Sequence, residues 1–157
     1  MRRLVVLRHA KSAWPEGVPD YRRPLADRGR RDAAAAGRWL AAHADPVDIA
    51  LVSPATRTRQ TWDLVAPELR TSPKVVHDEQ LYGEGPEAVI AVLRTLPDSA
   101  ATVLLIGHNP DLEDVVAELT GTRPLLKTTT LSVITWPTPT ADLTTPGTLT
   151  TTEKIRG

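Results

Sequence analysis

Two histidines, His9 and His108, lie at the ends of predicted strands, where side chains can take part in catalysis. His9 directly follows residues 4–7, a continuous apolar run rich in valine that predicts a buried strand. His108 follows a similar run, residues 102–106, after one glycine. One histidine at a strand end is usually incidental, but two of them, the first preceded by Arg8, indicate a shared site.

Histidine and arginine together suit the chemistry of a phosphoryl group. A neutral imidazole nitrogen can attack phosphorus and hold the phosphoryl group covalently. A guanidinium binds phosphate oxygens through two parallel hydrogen bonds and stays charged at any working pH. The equatorial oxygens of the transferring group also need several fixed donors. The combination therefore indicates a site for a phosphoryl group.

The elements that would hold these residues alternate between strands and helices. Apolar or threonine-rich runs predict strands at residues 4–7, 49–52, 75–76, 102–106, 131–136 and 149–155. Helical spacing or capping signals predict helices from Asp27 to about Ala44, from Ser53-Pro54 onward, over residues 86–96 and over residues 112–119. Asp27 and Ser53 are the predicted N-caps of the first two helices.

This alternation predicts an α/β fold of three layers, α/β/α, with a mostly parallel central sheet. In such sheets, ligands bind outside the carboxyl ends of the strands. His9, Ser53 and His108 each come at or just after such an end, so we expect all three along one edge of the sheet.

Composition and missing motifs exclude several classes of protein. The 157 residues fit one domain, 1–157, and the zero net charge argues against a dedicated nucleic-acid binder. The absence of cysteine excludes disulfides, thiolate metal sites and cysteine-dependent phosphatases. No P-loop, dinucleotide-binding glycine motif, serine-hydrolase elbow or metal-ligand spacing occurs. No signal peptide or membrane-spanning run is visible, so we expect a cytoplasmic protein without a membrane partner.

The charges are unevenly distributed along the chain. Residues 1–40 carry ten basic and four acidic side chains, a net of +6, and the remainder carries a net of −6. The basic excess is either a solvated helix face or a field that attracts an anionic substrate. In the second case, it could dock an acidic partner surface through Arg22, Arg23, Arg28, Arg30 and Arg31.

Three segments resemble the motifs of the histidine phosphatase superfamily, also called the phosphoglycerate mutase-like group. Residues 7–12, L-R-H-A-K-S, resemble its R-H-G/A signature, and residues 53–61, S-P-A-T-R-T-R-Q-T, are similar to S-P-x-x-R-x-x-Q-T. Residues 106–110, I-G-H-N-P, match its third motif, a histidine after a strand. The short chain, the R-H-A-K-S form and Arg23-Pro24-Leu25 followed by Gly29 point to the small bacterial phosphohistidine phosphatases.

The resemblance, which spans residue 4 to about 135, implies a phosphoglycerate mutase-like fold and assigns roles by matching position. His9 is then the nucleophile, Arg8 and Arg57 clamp the phosphoryl group, and His108 completes the cradle. Arg57 could otherwise be an ordinary helix-surface residue, which is the interpretation we favour for Arg59. Two arginines and one or two imidazoles can neutralise the phosphoryl oxygens without a cation, so we expect no metal and no cofactor.

Several other positions keep two interpretations each. Lys11 and Ser12 adjoin the predicted nucleophile. They either line the substrate pocket or simply face solvent. Glu79 stands three residues before a Tyr-Gly pair, the position of the general acid in larger members of the family. It is therefore either the general acid or a solvated loop residue. Small phosphohistidine-specific relatives do not reliably keep such an acid. For His43 and His77 we predict structural roles.

The sequence thus predicts a metal-independent phosphatase, a phosphoric monoester hydrolase or phosphohistidine phosphatase, that forms a phosphohistidine intermediate on His9. Protein phosphohistidine is the favoured substrate. The alternatives are a small-molecule phosphatase acting on sugar phosphates or nucleotides, and an inactive phosphate-binding module. The partner is then a phosphorylated protein or a small phosphorylated substrate. An asparagine that the family usually carries soon after the first motif is missing, which argues against mutase-type substrate contacts.

Overall fold

The computed structural model describes residues 1–139 and 143–157, in which strands and helices alternate. The strands are β1 (Arg2–Arg8), β2 (Ile49–Val52), β3 (Lys74–His77), β4 (Thr102–Gly107), β5 (Thr130–Trp136) and β6 (Thr148–Lys154). The helices are α1 (Asp27–His43), α2 (Thr56–Val65), α3 (Pro86–Arg94) and α4 (Asp111–Thr120). Every strand and helix predicted from the sequence is present, with bounds that differ by a few residues.

The strands form one mixed sheet in the order β3-β2-β4-β1-β5-β6. Strands β3, β2, β4 and β1 run parallel to one another, and β5 is antiparallel to both β1 and β6. The predicted mostly parallel sheet is therefore confirmed. Because β1 and β4 are neighbours, the residues that follow them meet at the same edge.

Helices cover both faces of the sheet. On β1, Leu4 and Val6 pack in the core with α3 and α4, whereas Val5 and Leu7 pack in the core with α1 and α2. Successive side chains of a strand point to opposite faces, so a strand buried on both faces needs an unbroken apolar run. This is why the predicted strands read as continuous apolar segments, and it confirms the three-layer arrangement.

The starts of the first two helices differ from the prediction. Asp27 is the first residue of α1, and its N-cap is Ala26. Ser53 is not the N-cap of α2, which begins at Thr56 with Ala55 as its N-cap. The chain stays extended past β2 because the Ser53 amide donates to the carbonyl of Ile106, 3.1 Å away.

Helix α1 packs unusually close to the segment that follows His9. A Cβ atom on Gly29 would overlap the backbone carbonyl of Lys11, and one on Gly37 would lie 2.7 Å from the carbonyl oxygen of Val65 in α2. Only glycine permits these approaches, which fix α1 against both the segment after β1 and α2. No helix in the described ranges is long and apolar enough to cross a membrane.

Candidate active site

The predicted site residues gather at the carboxyl ends of the central parallel strands. The His9 amide donates to the carbonyl of Gly107 at 3.1 Å, which ties the end of β1 to the end of β4. Ser53 follows β2, and Arg57 lies in the first turn of α2. Backbone pairing thus places three separate segments of the chain beside one another.

The imidazole of His9 is buried and held in one orientation. Its Nδ1 lies 2.8 Å from the carbonyl oxygen of Ala10, and its Nε2 lies 3.3 Å from Nε of Arg57. A carbonyl oxygen can only accept a hydrogen bond, so Nδ1 carries the proton. A guanidinium N–H can only donate, so Nε2 presents a lone pair. Burial, with smaller contributions from the neighbouring cations, lowers the pKa of His9 to about 3, so the ring is neutral at neutral pH.

Arg57 is also buried, and Asp20 holds its outer nitrogens. Nη1 donates to the backbone carbonyl of Asp20 at 2.8 Å, and Nη2 lies 3.1 Å from Oδ2 of the same residue. The Asp20 carboxylate also accepts from the hydroxyl of Tyr82 at 2.6 Å and from Arg23 at 2.9 Å. The Tyr82 hydroxyl, followed by the two arginines, lowers the pKa of Asp20, which is therefore a carboxylate at neutral pH.

His108 faces His9 across the site, with 5.4 Å between the ring centroids. Its Nε2 lies 2.7 Å from the hydroxyl oxygen of Ser53. Its Nδ1 is buried and has no hydrogen-bond partner among the described residues. Burial, followed by the charge of Arg57, lowers the pKa of His108 to about 4, so this ring is neutral as well.

Arg8 is fixed from the other side of the site by a chain of hydrogen bonds. Its Nη1 donates to the carbonyl of Leu126 at 3.0 Å. The amide of Leu126 in turn donates to Glu113 at 2.8 Å, and the same carboxylate accepts from Asn109 at 3.1 Å. Glu113 of α4 thereby stabilises the loop that orients the Arg8 guanidinium.

Two adjoining pockets open at this edge. A pocket of about 270 Å³ is lined by Arg8, His9, Lys11, Ser12, Trp14, Arg23, Arg57, His108, Asn109 and Thr128. A second pocket of about 460 Å³ shares Arg57, His108 and Asn109 with it and is otherwise lined by Asp20, Tyr82, Gly83, Gly85, Pro110 and Asp111. The first pocket is basic, and the second carries two carboxylates.

The structure brings most of the predicted residues together. All four members of the predicted phosphoryl cradle line the smaller pocket, as do Lys11, which is exposed, and Ser12, which is buried against Arg23. Glu79 is exposed and lines neither pocket, and no described side-chain hydrogen bond or ion pair joins it to the site.

The remaining predicted positions lie outside the site. Arg59 is exposed on α2, His43 ends α1 and stacks on Trp39, and His77 ends β3. Arg23, predicted among the docking cations of the surface, is instead buried against Asp20 and Ser12 and stacks on Trp14. Its side chain therefore contacts residues of the site and does not face a partner protein.

Three contributions were missed by the sequence interpretation. Asp20 lies in an irregular proline-containing segment, where a single aspartate is no signal. Tyr82 was noted only as a marker for Glu79, yet it is the tyrosine that reaches the site. Ser53 was assigned to a helix cap because serine before proline at a helix start is a strong capping pattern, but its hydroxyl contacts His108.

The arrangement can bind and attack a phosphoryl group with protein side chains. Two guanidiniums and a second imidazole surround a neutral imidazole whose Nε2 carries no proton. This nitrogen can act as a nucleophile once the Arg57 N–H that it accepts at 3.3 Å turns to a phosphoryl oxygen. Among the described residues, no cluster of three or more histidine, aspartate or glutamate side chains could hold a metal ion.

Comparison with known proteins agrees with this chemistry. The model of the histidine phosphatase superfamily (branch 1) matches residues 4–82. The uncharacterized protein Rv1276c of Mycobacterium tuberculosis is 42% identical over 119 residues, which cover 74% of this chain and 73% of that protein. The chain therefore belongs to the histidine phosphatase superfamily, and it is a phosphatase.

Solved structures narrow this assignment to the small SixA-like branch. A protein from Nakamurella multipartitia, provisionally identified as the phosphohistidine phosphatase SixA, superposes with a TM-score of 0.87 at 29% identity, covering 98% of this chain and 96% of that one. The protein histidine phosphatase SixA in complex with tungstate superposes with a TM-score of 0.83 at 26% identity, covering 97% and 96%. The predicted phosphoglycerate mutase-like fold is thus confirmed.

Proposed function

We propose that this phosphatase acts without a metal, through a phosphohistidine intermediate on His9, and that its substrate is phosphohistidine in a protein. The orientation of His9 carries the proposal. Its Nδ1 proton is held by the Ala10 carbonyl, and its unprotonated Nε2 accepts from Nε of Arg57 in a pocket that Arg8 also lines. A nucleophile with this tautomer needs no base to remove a proton before it attacks.

The reaction then runs in two displacements. Nε2 of His9 forms a bond to phosphorus while the bond to the leaving group breaks, and the leaving group takes that electron pair. In the second step a water oxygen attacks phosphorus, the P–N bond breaks, and its electron pair returns to Nε2 of His9. The water supplies the fourth oxygen of the released inorganic phosphate, and its two protons remain on that phosphate or pass to solvent.

The leaving group decides which substrates are suitable. A phosphorylated imidazole can carry a proton on its second nitrogen and so depart as a neutral ring, whereas an alkyl phosphate departs as an alkoxide unless an acid supplies a proton. Asp20 is a poor acid because its pKa lies below the usual range, and Glu79 is exposed outside both pockets. This favours a P–N bond over an alkyl ester, in agreement with the similarity to the protein histidine phosphatase SixA.

One observation favours the alternative, a phosphatase for a small metabolite. The larger pocket, of about 460 Å³, could hold a small leaving group, and burial raises the pKa of Asp111, which lines it. A raised pKa suits a carboxyl group that must deliver a proton, so Asp111 is the candidate general acid of this alternative. The Asp20 carboxylate on this pocket argues against metabolites that carry an additional negative charge.

A comparison of substrates tests the proposal. We would measure kcat/KM in the presence of a chelator for a phosphocarrier protein phosphorylated on histidine with phosphoramidate, for an aryl phosphate, and for sugar phosphates and nucleotides. We expect the protein to rank first, the aryl phosphate to be weak and alkyl phosphates to be poor. Glu79→Gln and Asp111→Asn should change the rate on the protein little, and His9→Ala should abolish it.

The same preparation identifies the intermediate. Phosphate trapped on the wild-type enzyme should be labile in acid, stable in base and absent from His9→Ala. A requirement for an added divalent ion, or phosphate on another residue, would refute the mechanism. If a sugar phosphate or nucleotide ranks first and Glu79→Gln or Asp111→Asn abolishes its turnover, the small-molecule assignment replaces ours. Absence of any turnover would favour the phosphate-binding module.

A further inference from the structure

We propose that Ser53 is a positioning residue: its hydroxyl donates to Nε2 of His108 and thereby fixes the tautomer in which Nδ1–H of His108 is a free donor for a phosphoryl oxygen. The kinetic consequence of this inference depends on the proposed function, but the tautomer itself does not.

The count of donors and acceptors around Ser53 determines the direction of the hydrogen bond. The Ser53 oxygen lies 2.7 Å from Nε2 of His108, and it accepts from the amide of Ala55 at 3.4 Å. A hydroxyl has one proton to donate. The only acceptor described within hydrogen-bond distance of Ser53 Oγ is the His108 nitrogen. With the opposite tautomer, the buried serine would receive two donors and have no described acceptor for its own proton.

The other ring nitrogen of His108 then carries the proton. Nδ1 is buried and has no hydrogen-bond partner among the described residues, an arrangement that costs free energy unless a ligand uses the group. His108 lines both pockets and faces His9 across the smaller one. An anionic oxygen bound against His108 in the smaller pocket would satisfy this donor.

Because His108 is neutral, its tautomer determines whether Nδ1 can donate a hydrogen bond. An imidazolium would donate from both nitrogens whatever its neighbour, but burial lowers the pKa of His108 to about 4. A neutral ring offers one donor and one acceptor, so the partner on one nitrogen determines what the other can do. With the wrong tautomer, a lone pair on Nδ1 would face the negatively charged oxygens and repel them.

Nuclear magnetic resonance of the histidine rings tests the inference on the wild-type protein. The chain has four histidines, so His108 can be assigned by comparison with His108→Gln. We expect a protonated Nδ1 and an unprotonated Nε2. Inorganic phosphate, added until the His9 signals stop moving, should shift the Nδ1–H signal of His108. A wild-type ring protonated on Nε2, or an Nδ1–H signal that phosphate leaves unchanged, would overturn the inference.

Kinetics of Ser53→Ala provide the second readout, with Ser132→Ala as its control. Ser132 is also fully buried, but its hydroxyl pairs with Thr152 on β6. We expect Ser53→Ala to give a mixture of His108 tautomers and to lower kcat by about 10- to 100-fold, the range known for partners that orient metal-binding histidines. Ser132→Ala should change neither the tautomer of His108 nor kcat.

The kinetic outcomes separate the inference from the proposed function. Full kcat in folded Ser53→Ala, or an unchanged tautomer, would show that the hydroxyl does not position His108. Equal losses of kcat in Ser53→Ala and Ser132→Ala would indicate a general loss of stability and would also contradict the inference. If the wild-type enzyme does not turn over phosphohistidine at all, the proposed function fails while the tautomer measurement still stands.

Discussion

At the scale of single residues, the proposed chemistry depends on a neutral His9 beside the guanidiniums of Arg8 and Arg57. Burial and the adjacent cations both disfavour the imidazolium form, which would have no lone pair with which to attack. The Ala10 carbonyl opposes this shift but does not cancel it, since the pKa of His9 falls to about 3. The same carbonyl provides the orientation that the attack requires.

This shift predicts the pH dependence of the rate. Because the pKa of His9 is lowered, the active neutral form persists as the pH falls through about 6.5, where an ordinary histidine would become protonated. Turnover of an aryl phosphate, corrected for ionisation of the substrate, should therefore stay nearly constant from about pH 7 to about pH 5. A rate that falls tenfold per pH unit in this window, with unchanged substrate binding, would contradict a neutral nucleophile.

At the scale of elements, the contact between α1 and the segment after β1 holds His9, the proposed nucleophile, in place. Gly29 lets α1 touch the backbone of Lys11, two residues after His9, and the amide of Ala26 donates to the same Lys11 carbonyl at 2.9 Å. The start of α1 is thus attached directly to the segment that carries His9. A shift of the helix would be transmitted to His9.

Gly29→Ala should therefore reduce both stability and activity. The added methyl overlaps a backbone carbonyl that cannot rotate away, and forced overpacking costs about 1–3 kcal/mol. This exceeds the roughly 0.5–1 kcal/mol that alanine gains over glycine in a helix. We expect a lower free energy of unfolding in denaturant titrations and a lower kcat/KM. Arg30→Ala, exposed on the next position of α1, should change neither the stability nor kcat/KM for an aryl phosphate, which needs no protein-docking surface. A fully active, stable Gly29→Ala would refute the contact.

At the scale of the whole molecule, the site lies open at the sheet edge, with an aromatic residue at its rim. Trp14 lines the smaller pocket and is 77% exposed, and the guanidinium of Arg23 lies 3.2 Å from the centroid of its ring. A large exposed aromatic side chain at a pocket mouth is suited to contact a protein surface. A substrate protein could reach Trp14 while its phosphoryl group enters the pocket.

Trp14→Ala should therefore affect protein and small substrates differently. We expect kcat/KM for the phosphorylated carrier protein to fall by about tenfold, the loss of about 1.4 kcal/mol of contact energy. Free phosphohistidine has the same P–N bond and should be turned over almost as before. Val75→Ala removes an exposed apolar side chain of β3 and serves as the control. Equal losses on both substrates would place Trp14 in the phosphoryl site itself.

The sequence by itself determined the order of elements and the location of His9, the proposed nucleophile. Buried strands of a parallel sheet must be continuously apolar, so residues 4–7 and 102–106 could be recognised without a structure. The carboxyl ends of parallel strands share one edge, which brought His9 and His108 together in the prediction. Arg57 followed from a motif whose spacing matches one family.

The tertiary structure alone decided which polar groups hold these residues. Asp20 reaches Arg57 across 37 positions of sequence and Ser53 reaches His108 across 55, and neither pairing has a local pattern. Local patterns express helix and strand preferences, whereas a hydrogen bond between distant side chains depends on how loops pack after the sheet has formed. The exposed position of Glu79, the buried position of Arg23 and the orientation of the His9 ring were decided at that level.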